Sequence, residues 1–168
     1  MDHSRNCGGY ALNIPAWITP WADEDSNEQW TRDERYRFAT SLFELGLSRE
    51  KVEHAILLLD KKFLLEQYPY LRAIDDISRL GKDVRIIAYR IFFDWDEDHG
   101  VIDYDYHFKQ RRKGNWWEKN GALEAKICRL DPSIPWPALC TDEEMNVVND
   151  DECYTSGIVY FIDTRWSK

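Results

Sequence analysis

Residues 104–121 read YDYHFKQRRKGNWWEKNG, from Tyr104 to Gly121. Their alternation decides what kind of fold the chain can have. In the first half Tyr104, Tyr106 and Phe108 fall on one face of an extended strand, and Asp103, Asp105, His107 and Lys109 on the other. The aromatic face is the natural core face, so His107 is expected to look toward a polar cleft or solvent. Arg111 to Gly114 reads as a four-residue turn, and Asn115 to Lys119 as the returning strand. In that register Gln110 lies opposite Asn115 and His107 opposite Glu118. Directly opposed residues share a face with Cβ atoms about 5 Å apart. Glu118 would then hold the imidazole of His107 in one tautomer.

Working outward, the preceding run Val84 to Trp95 (VRIIAYRIFFDW) is β-branched and aromatic, and reads as a largely buried strand. Asp96 to Gly100 is a turn, and Val101 to Gln110 the strand that carries His107. Before Asp83 the pattern is helical. Thr31-Arg-Asp-Glu34 has capping-box spacing, followed by apolar positions from Tyr36 to Leu45 and a stop at Gly46. Ser48 caps a second helix with an apolar stripe from Val52 to Leu64. After Pro69, the spacing of Leu71, Ile74, Ile77 and Leu80 predicts a third, shorter helix. Pro15 and Pro20 limit the N-terminus to one short helix near Cys7, then irregular chain through Asn27. Beyond the hairpin, Asp131 to Pro137 (DPSIPWP) is expected to be irregular, and Thr155 to Asp163 to form a final strand. The order is α+β: an N-terminal helix and a helical block on an antiparallel sheet. The 168 residues fit one domain, 1–168, with the helical block at about 27–80 read as an insertion.

Composition narrows the function. The net charge is −9, which disfavours direct binding to nucleic acid. Eight Trp, nine Tyr and seven Phe supply material for a core, a groove or a partner surface. No apolar run is long enough to cross a bilayer, and the start MDHSRNCGGYALN lacks a charged-then-apolar leader pattern. A cytoplasmic location follows as the expectation, with Cys7, Cys128, Cys140 and Cys153 as reduced thiols. No cofactor is implied. His3 and Cys7 are four apart, but His54 and His99 lack ligand spacing, so no metal site is expected. The acidic runs Asp23–Asp25, Asp94–Asp98 and Asp142–Glu144 read as solvated, and P-loop, GxGxxG and GxSxG motifs are missing from the sequence.

Cys7 is the natural nucleophile among the four thiols. A helix starting there would favour the thiolate, and Gly8 and Gly9 would leave room for a substrate near the backbone. With His107 as base the pair would attack an acyl carbon and form a thioester. The bland alternatives are an incidental cysteine and a hydrogen-bonded strand histidine.

Two blocks of this sequence, Asn6 to Asn13 (NCGGYALN) and Asp105 to Gly121, resemble a family of small bacterial and phage proteins of papain-like, NlpC type. Those open with C-Y-x-Y-A-L-N and continue with D-Y-H-F, a turn and G-x-W-S-H-K-P-G. The matching residues are Asp105-Tyr106-His107-Phe108 and Gly114-Asn115-Trp116-Trp117-Glu118-Lys119-Asn120-Gly121. The chain departs at Gly8, where the family has tyrosine, and at Glu118, where it has histidine. Asp105 and Gln110 are the spare orienting residues. The resemblance implies a papain-like fold and thiol hydrolase or acyltransferase chemistry on a peptide or isopeptide amide. Cys7 would be nucleophile, His107 base and Glu118 orienter, with Tyr10, Trp116 and Trp117 at the substrate. The alternatives are an acidic, aromatic binding or inhibitor protein without catalysis, and an effector acting on one cellular protein.

Overall fold

The computed structural model of the chain describes residues 4–23, 30–96, 98, 100–119, 123–128, 130, 136–141, 147–154 and 156–166. His3, His99, the acidic run 142–144 and the start of the proline-rich run, 131–135, lie outside them. Three α-helices are described, α1 (Cys7–Leu12), α2 (Arg32–Glu44) and α3 (Arg49–Gln67), with one turn of 3-10 helix at Thr164–Trp166. Six strands form one antiparallel sheet: β1 (Leu71–Ile74), β2 (Ile86–Asp96), β3 (Gly100–Arg112), β4 (Asn115–Glu118), β5 (Lys126–Cys128) and β8 (Val159–Asp163). Its order is β1-β8-β2-β3-β4-β5. The remaining strands, β6 (Trp136–Thr141) and β7 (Val147–Tyr154), pair with each other. The α+β architecture is therefore as the sequence predicts.

Alternation along β2 and β3 divides the molecule into layers. Ile87, Tyr89, Ile91 and Phe108 point to one face and pack with Ala39, Val52, Ile56 and Leu64 of the long helices and with Cys7, Ala11 and Leu12 of α1. The opposite face carries Ala88, Phe92 and Trp116, which pack with Trp136 at the start of β6. Trp136 is 2% exposed. His107 lies on this second face. It does not open onto solvent as expected; it is buried, its ring 6.2 Å from that of Trp136.

Capping reads out as the sequence suggests. The Thr31 hydroxyl accepts from the Glu34 amide at 3.3 Å, and Gly46 takes φ +78° just past α2, where its amide bonds the Phe43 carbonyl. Ser48 occupies the N-cap of α3 without a side-chain cap bond. Between helices and sheet lies a buried polar knot. Asp60 of α3 accepts from Arg35 Nε at 2.7 Å, Trp30 Nε1 at 2.9 Å and the Tyr89 hydroxyl at 2.5 Å.

Three expectations need correction. The helix predicted after Pro69 is instead the short strand β1, hydrogen-bonded along β8 from Leu71↔Asp163 to Ile74↔Tyr160. An empty sheet edge overrides a four-residue apolar spacing that fits either element. The proline-rich run is not irregular throughout, because Trp136 and Pro137 begin β6. A register irregularity between Pro137 and Leu139 accommodates the missing donor. Finally, the β3–β4 turn holds two residues, not four. Lys113 (φ +51°) and Gly114 (φ +78°) are both left-handed, the conformation that matches the twist of a tight hairpin. Arg112 therefore pairs with Asn115, and Glu118 faces Lys109 rather than His107. The shift is by two residues, so every side chain keeps its face.

Candidate active site

Helix α1 is six residues long and rests on β3. Asn6 fixes its start. The Asn6 carboxamide oxygen accepts from the amides of Gly9 and Ile18, both at 3.0 Å, and its nitrogen donates to the Ile18 carbonyl at 2.9 Å and the Tyr106 hydroxyl at 2.8 Å. One side chain thus ties the helix N-terminus, the following loop and β3. At the other end Arg85 donates to the Ala11 carbonyl (2.8 Å), Arg165 to that of Leu12 (2.6 Å) and Gln110 to that of Tyr10 (3.3 Å). These donors satisfy carbonyls that a helix end leaves open.

Cys7 is the first residue of α1 and is buried, 6% exposed. Burial pushes its thiol up from 9.0 to about 12, against hydrogen bonding from the backbone of Phe108, and the charge of Asp105 adds to the rise. The backbone that touches the thiol is that of the residue after His107. The glycines that follow have a packing reason. A Cβ on Gly8 would stand 2.7 Å from the Ile18 carbonyl oxygen, and one on Gly9 1.9 Å from that of Ala16. The space expected for a substrate beside these glycines is filled by the 14–18 loop. The tyrosine that the resembled family has at position 8 does not fit this backbone.

On the second face, His107 Nε2 lies 3.6 Å from Glu118 Oε2, and Lys109 Nζ lies 3.0 Å from the same oxygen. Lys126 Nζ reaches Oε1 at 3.5 Å. Burial alone would raise the Glu118 carboxyl. The contacts with His107 and Lys109 outweigh it and hold the group down from 4.5 to about 2. Lys109 is buried and sits 4.6 Å over the Trp136 ring; Arg90, the cross-strand partner of His107, stacks on the same indole at 5.2 Å. Lys109 and Trp136 are the site residues the sequence reading missed. Alternation already placed Lys109 on the face of His107, whereas nothing marked Trp136 within its run of prolines.

The other named residues divide between the faces. Trp116 shares the face of His107 and Glu118 and packs near Trp136. Trp117, opposite Gln110, belongs to the other face, and its ring carries the Arg112 guanidinium at 5.6 Å. Tyr10 is buried, with the Arg5 guanidinium 5.5 Å from its ring. Of the spare orienting residues, Asp105 is exposed and accepts from the Tyr106 amide, while Gln110 is buried on the face of α1. Among the described residues no group of three His, Cys, Asp or Glu is placed to hold a metal ion, and no helix is long and apolar enough to cross a membrane. No protein-family profile matches the chain, and no curated protein or solved structure matches it.

Proposed function

We propose that this chain is a cysteine-dependent hydrolase or acyltransferase acting on a peptide or isopeptide amide, built on a papain-like, NlpC-type scaffold. The observation that carries the reading is the position of the Cys7 thiol, at the head of α1 and against the backbone of Phe108; the neighbouring His107 points to the opposite face of β3, with Glu118 beside its imidazole. In this reading Cys7 Sγ adds to the amide carbonyl carbon while its proton passes to His107. The imidazolium, held by Glu118, then protonates the departing amine as the C–N bond breaks. The thioester that remains passes to water or to a second amine, with His107 taking the acceptor's proton. Turnover requires more than uncovering, since Cys7 is buried on the helix face of the sheet and His107 on the opposite face beside Trp136, so the imidazole and thiol must be brought together past the edge of β3.

That burial favours a second reading, a binding protein on the same scaffold. It would act through its acidic charge and exposed aromatics such as Trp17, which is 60% exposed. Mass-spectrometric turnover of a pool of peptides carrying backbone amides, isopeptides and glutamine side chains separates the two. Amide cleavage, deamidation or transfer that disappears in Cys7→Ala and His107→Ala supports the enzyme. Equal product from wild type and Cys7→Ala rules it out.

A further inference from the structure

At the far end of α1 from Cys7 lies a cavity of about 280 Å³, lined by Asn13, Asp83, Arg85, Arg112, Lys113 and Trp166. Three of its six lining residues are cations and one is an acid, in a chain whose net charge is −9. Such a positive island needs a reason. We infer that this cavity binds a small organic carboxylate with a flat apolar body, its carboxylate held by Arg112, Lys113 and Arg85 and its body against the indole of Trp166.

The walls are set before any ligand arrives. Arg85 is 5% exposed, anchored by its bond to the Ala11 carbonyl, with its guanidinium 5.3 Å from the Trp166 ring. Its Nε is buried and has no hydrogen-bond partner among the described residues; the nearest acid oxygen, Asp163 Oδ2, is 3.8 Å away. Asp163 is itself engaged by Arg165 at 2.7 Å. Arg85 is thus a buried cation with a donor that makes no hydrogen bond; burial lowers its pKa, the charge of Asp163 raises it, and the neighbouring cations Arg165 and Arg112 lower it further. Lys113 and Asn13 are held by the geometry of the tight turn and of the helix cap. The hairpin tip is pinned by the Gly114 amide to the Lys82 carbonyl at 3.0 Å and by Arg111 to that of Gly81 at 2.7 Å. A planar guanidinium fork matches a planar carboxylate. Asp83 on the lining penalises a second negative charge, and Trp166, 53% exposed, offers a flat apolar surface that a bare inorganic anion would not use. Both features favour a monoanion with an aromatic body over phosphate. The inference stands whether or not Cys7 is catalytic, because α1 separates the two places by about 9 Å of helix rise.

The experiment uses the whole chain labelled with ¹⁵N, with the Trp166 indole resonance assigned by its loss in Trp166→Phe. Phenylacetate is the probe, and phenylacetamide and inorganic phosphate are the comparisons. The expected result is a saturable shift of the Trp166 indole signal by phenylacetate, with binding at least about tenfold weaker for phenylacetamide and for an Arg112→Gln, Lys113→Gln double variant. The other indole signals report that the variant is folded. Phenylacetamide binding as well as phenylacetate would overturn the role of the cations. Phosphate binding as tightly would overturn the organic carboxylate in favour of a general anion site. Failure of phenylacetate to saturate by roughly 10 mM would overturn the site itself.

Discussion

The carboxylate of Glu118 lies 3.0 Å from the ammonium of Lys109, its partner across the β3–β4 ladder. The same carboxylate stands 3.6 Å from His107 Nε2, so one acid on β4 faces two side chains on one face of β3. Its pKa is depressed from 4.5 to about 2, which fixes the sign of its effect on stability. The stabilisation is present above the unfolded value near 4.5 and is lost as pH falls through about 2. It is on the order of 3 kcal/mol when fully expressed. Urea denaturation from pH 7 down to pH 2 should therefore show wild type losing stability below about pH 4.5 more steeply than Glu118→Gln. Parallel pH profiles for the two proteins would mean that the carboxylate is not engaged in solution.

Asn6 makes four hydrogen bonds with its side chain, two to backbone amides, one to a carbonyl and one to the Tyr106 hydroxyl. An ordinary N-cap replacement costs about 1 kcal/mol. Asn6→Ala should cost more, about 2–4 kcal/mol, because it also leaves the buried amide of Ile18 and the Tyr106 hydroxyl short of a partner. Asn6→Asp keeps the acceptor but turns a buried carboxylate oxygen onto the Ile18 carbonyl, which the Asn6 amide nitrogen meets at 2.9 Å, and should cost at least as much as Asn6→Ala. Denaturant midpoints for the three proteins check the order. A cost for Asn6→Ala no larger than a simple cap would show that the loop tie contributes nothing.

The sequence made the hairpin, the helix starts and the alternation of β2 and β3 legible because each is a local pattern: capping boxes, β-branched runs, a period of two. It did not reveal β1, because Leu71, Ile74, Ile77 and Leu80 fit a helical stripe until β8 offers an edge. It also misjudged the turn. Arg-Arg-Lys-Gly contains no Asn-Gly or Asp-Gly pair, so nothing marked Lys113 as a residue that would go left-handed. The two-residue slip left His107 and Glu118 on one face, so the contact between them does not depend on the register, whereas Cys7 packs on the other face of the sheet. The burial of His107 was out of reach for a different reason. It depends on Trp136, which reaches the sheet through a strand that the prolines around it concealed.

Gly9 and Gly8 offer a direct test of how tightly α1 is seated. Alanine inside a helix is ordinarily favoured over glycine by about 1 kcal/mol. Here the added methyl would lie 1.9 Å from the Ala16 carbonyl oxygen at position 9 and 2.7 Å from that of Ile18 at position 8. Both obstacles are backbone, so the 14–18 loop must move. Gly9→Ala should destabilise by at least about 3 kcal/mol, more than Gly8→Ala. Thermal unfolding compares them. A neutral or stabilising Gly9→Ala would mean that the loop does not lie against the helix in solution.

The Asp60 knot predicts a larger loss than any surface pair. The Arg35–Asp60 salt bridge is fully buried, with 0% exposure on both side chains. Asp60→Ala leaves the Arg35 cation uncompensated and should cost about 3–5 kcal/mol. Tyr89→Phe removes one donor to the carboxylate and should cost about 1–2 kcal/mol. An Asp60→Ala protein with an unchanged urea midpoint would mean that the pair is solvated.

The thiols give the sharpest check on the resting state of the candidate site. With its pKa moved from 9.0 to about 12, Cys7 carries about a thousandfold less thiolate near neutral pH than an unperturbed cysteine. Cys128, half-buried on β5, is raised less, to about 11, mainly by burial. Since the thiolate is the reacting form, site-resolved mass spectrometry after iodoacetamide at pH 7.5 should find Cys128 modified well before Cys7. The Cys7 rate should climb about tenfold per pH unit from pH 8 to pH 10, with no plateau. A Cys7 that reacts first, and at a rate already level at pH 7, would show a thiolate in an open site with His107 as its counter-ion. The covered arrangement would then not be the resting one. Slow modification that accelerates only when an amide substrate is added would instead tie exposure of the thiol to binding, which is what a nucleophile buried in the core between α1 and β3 requires.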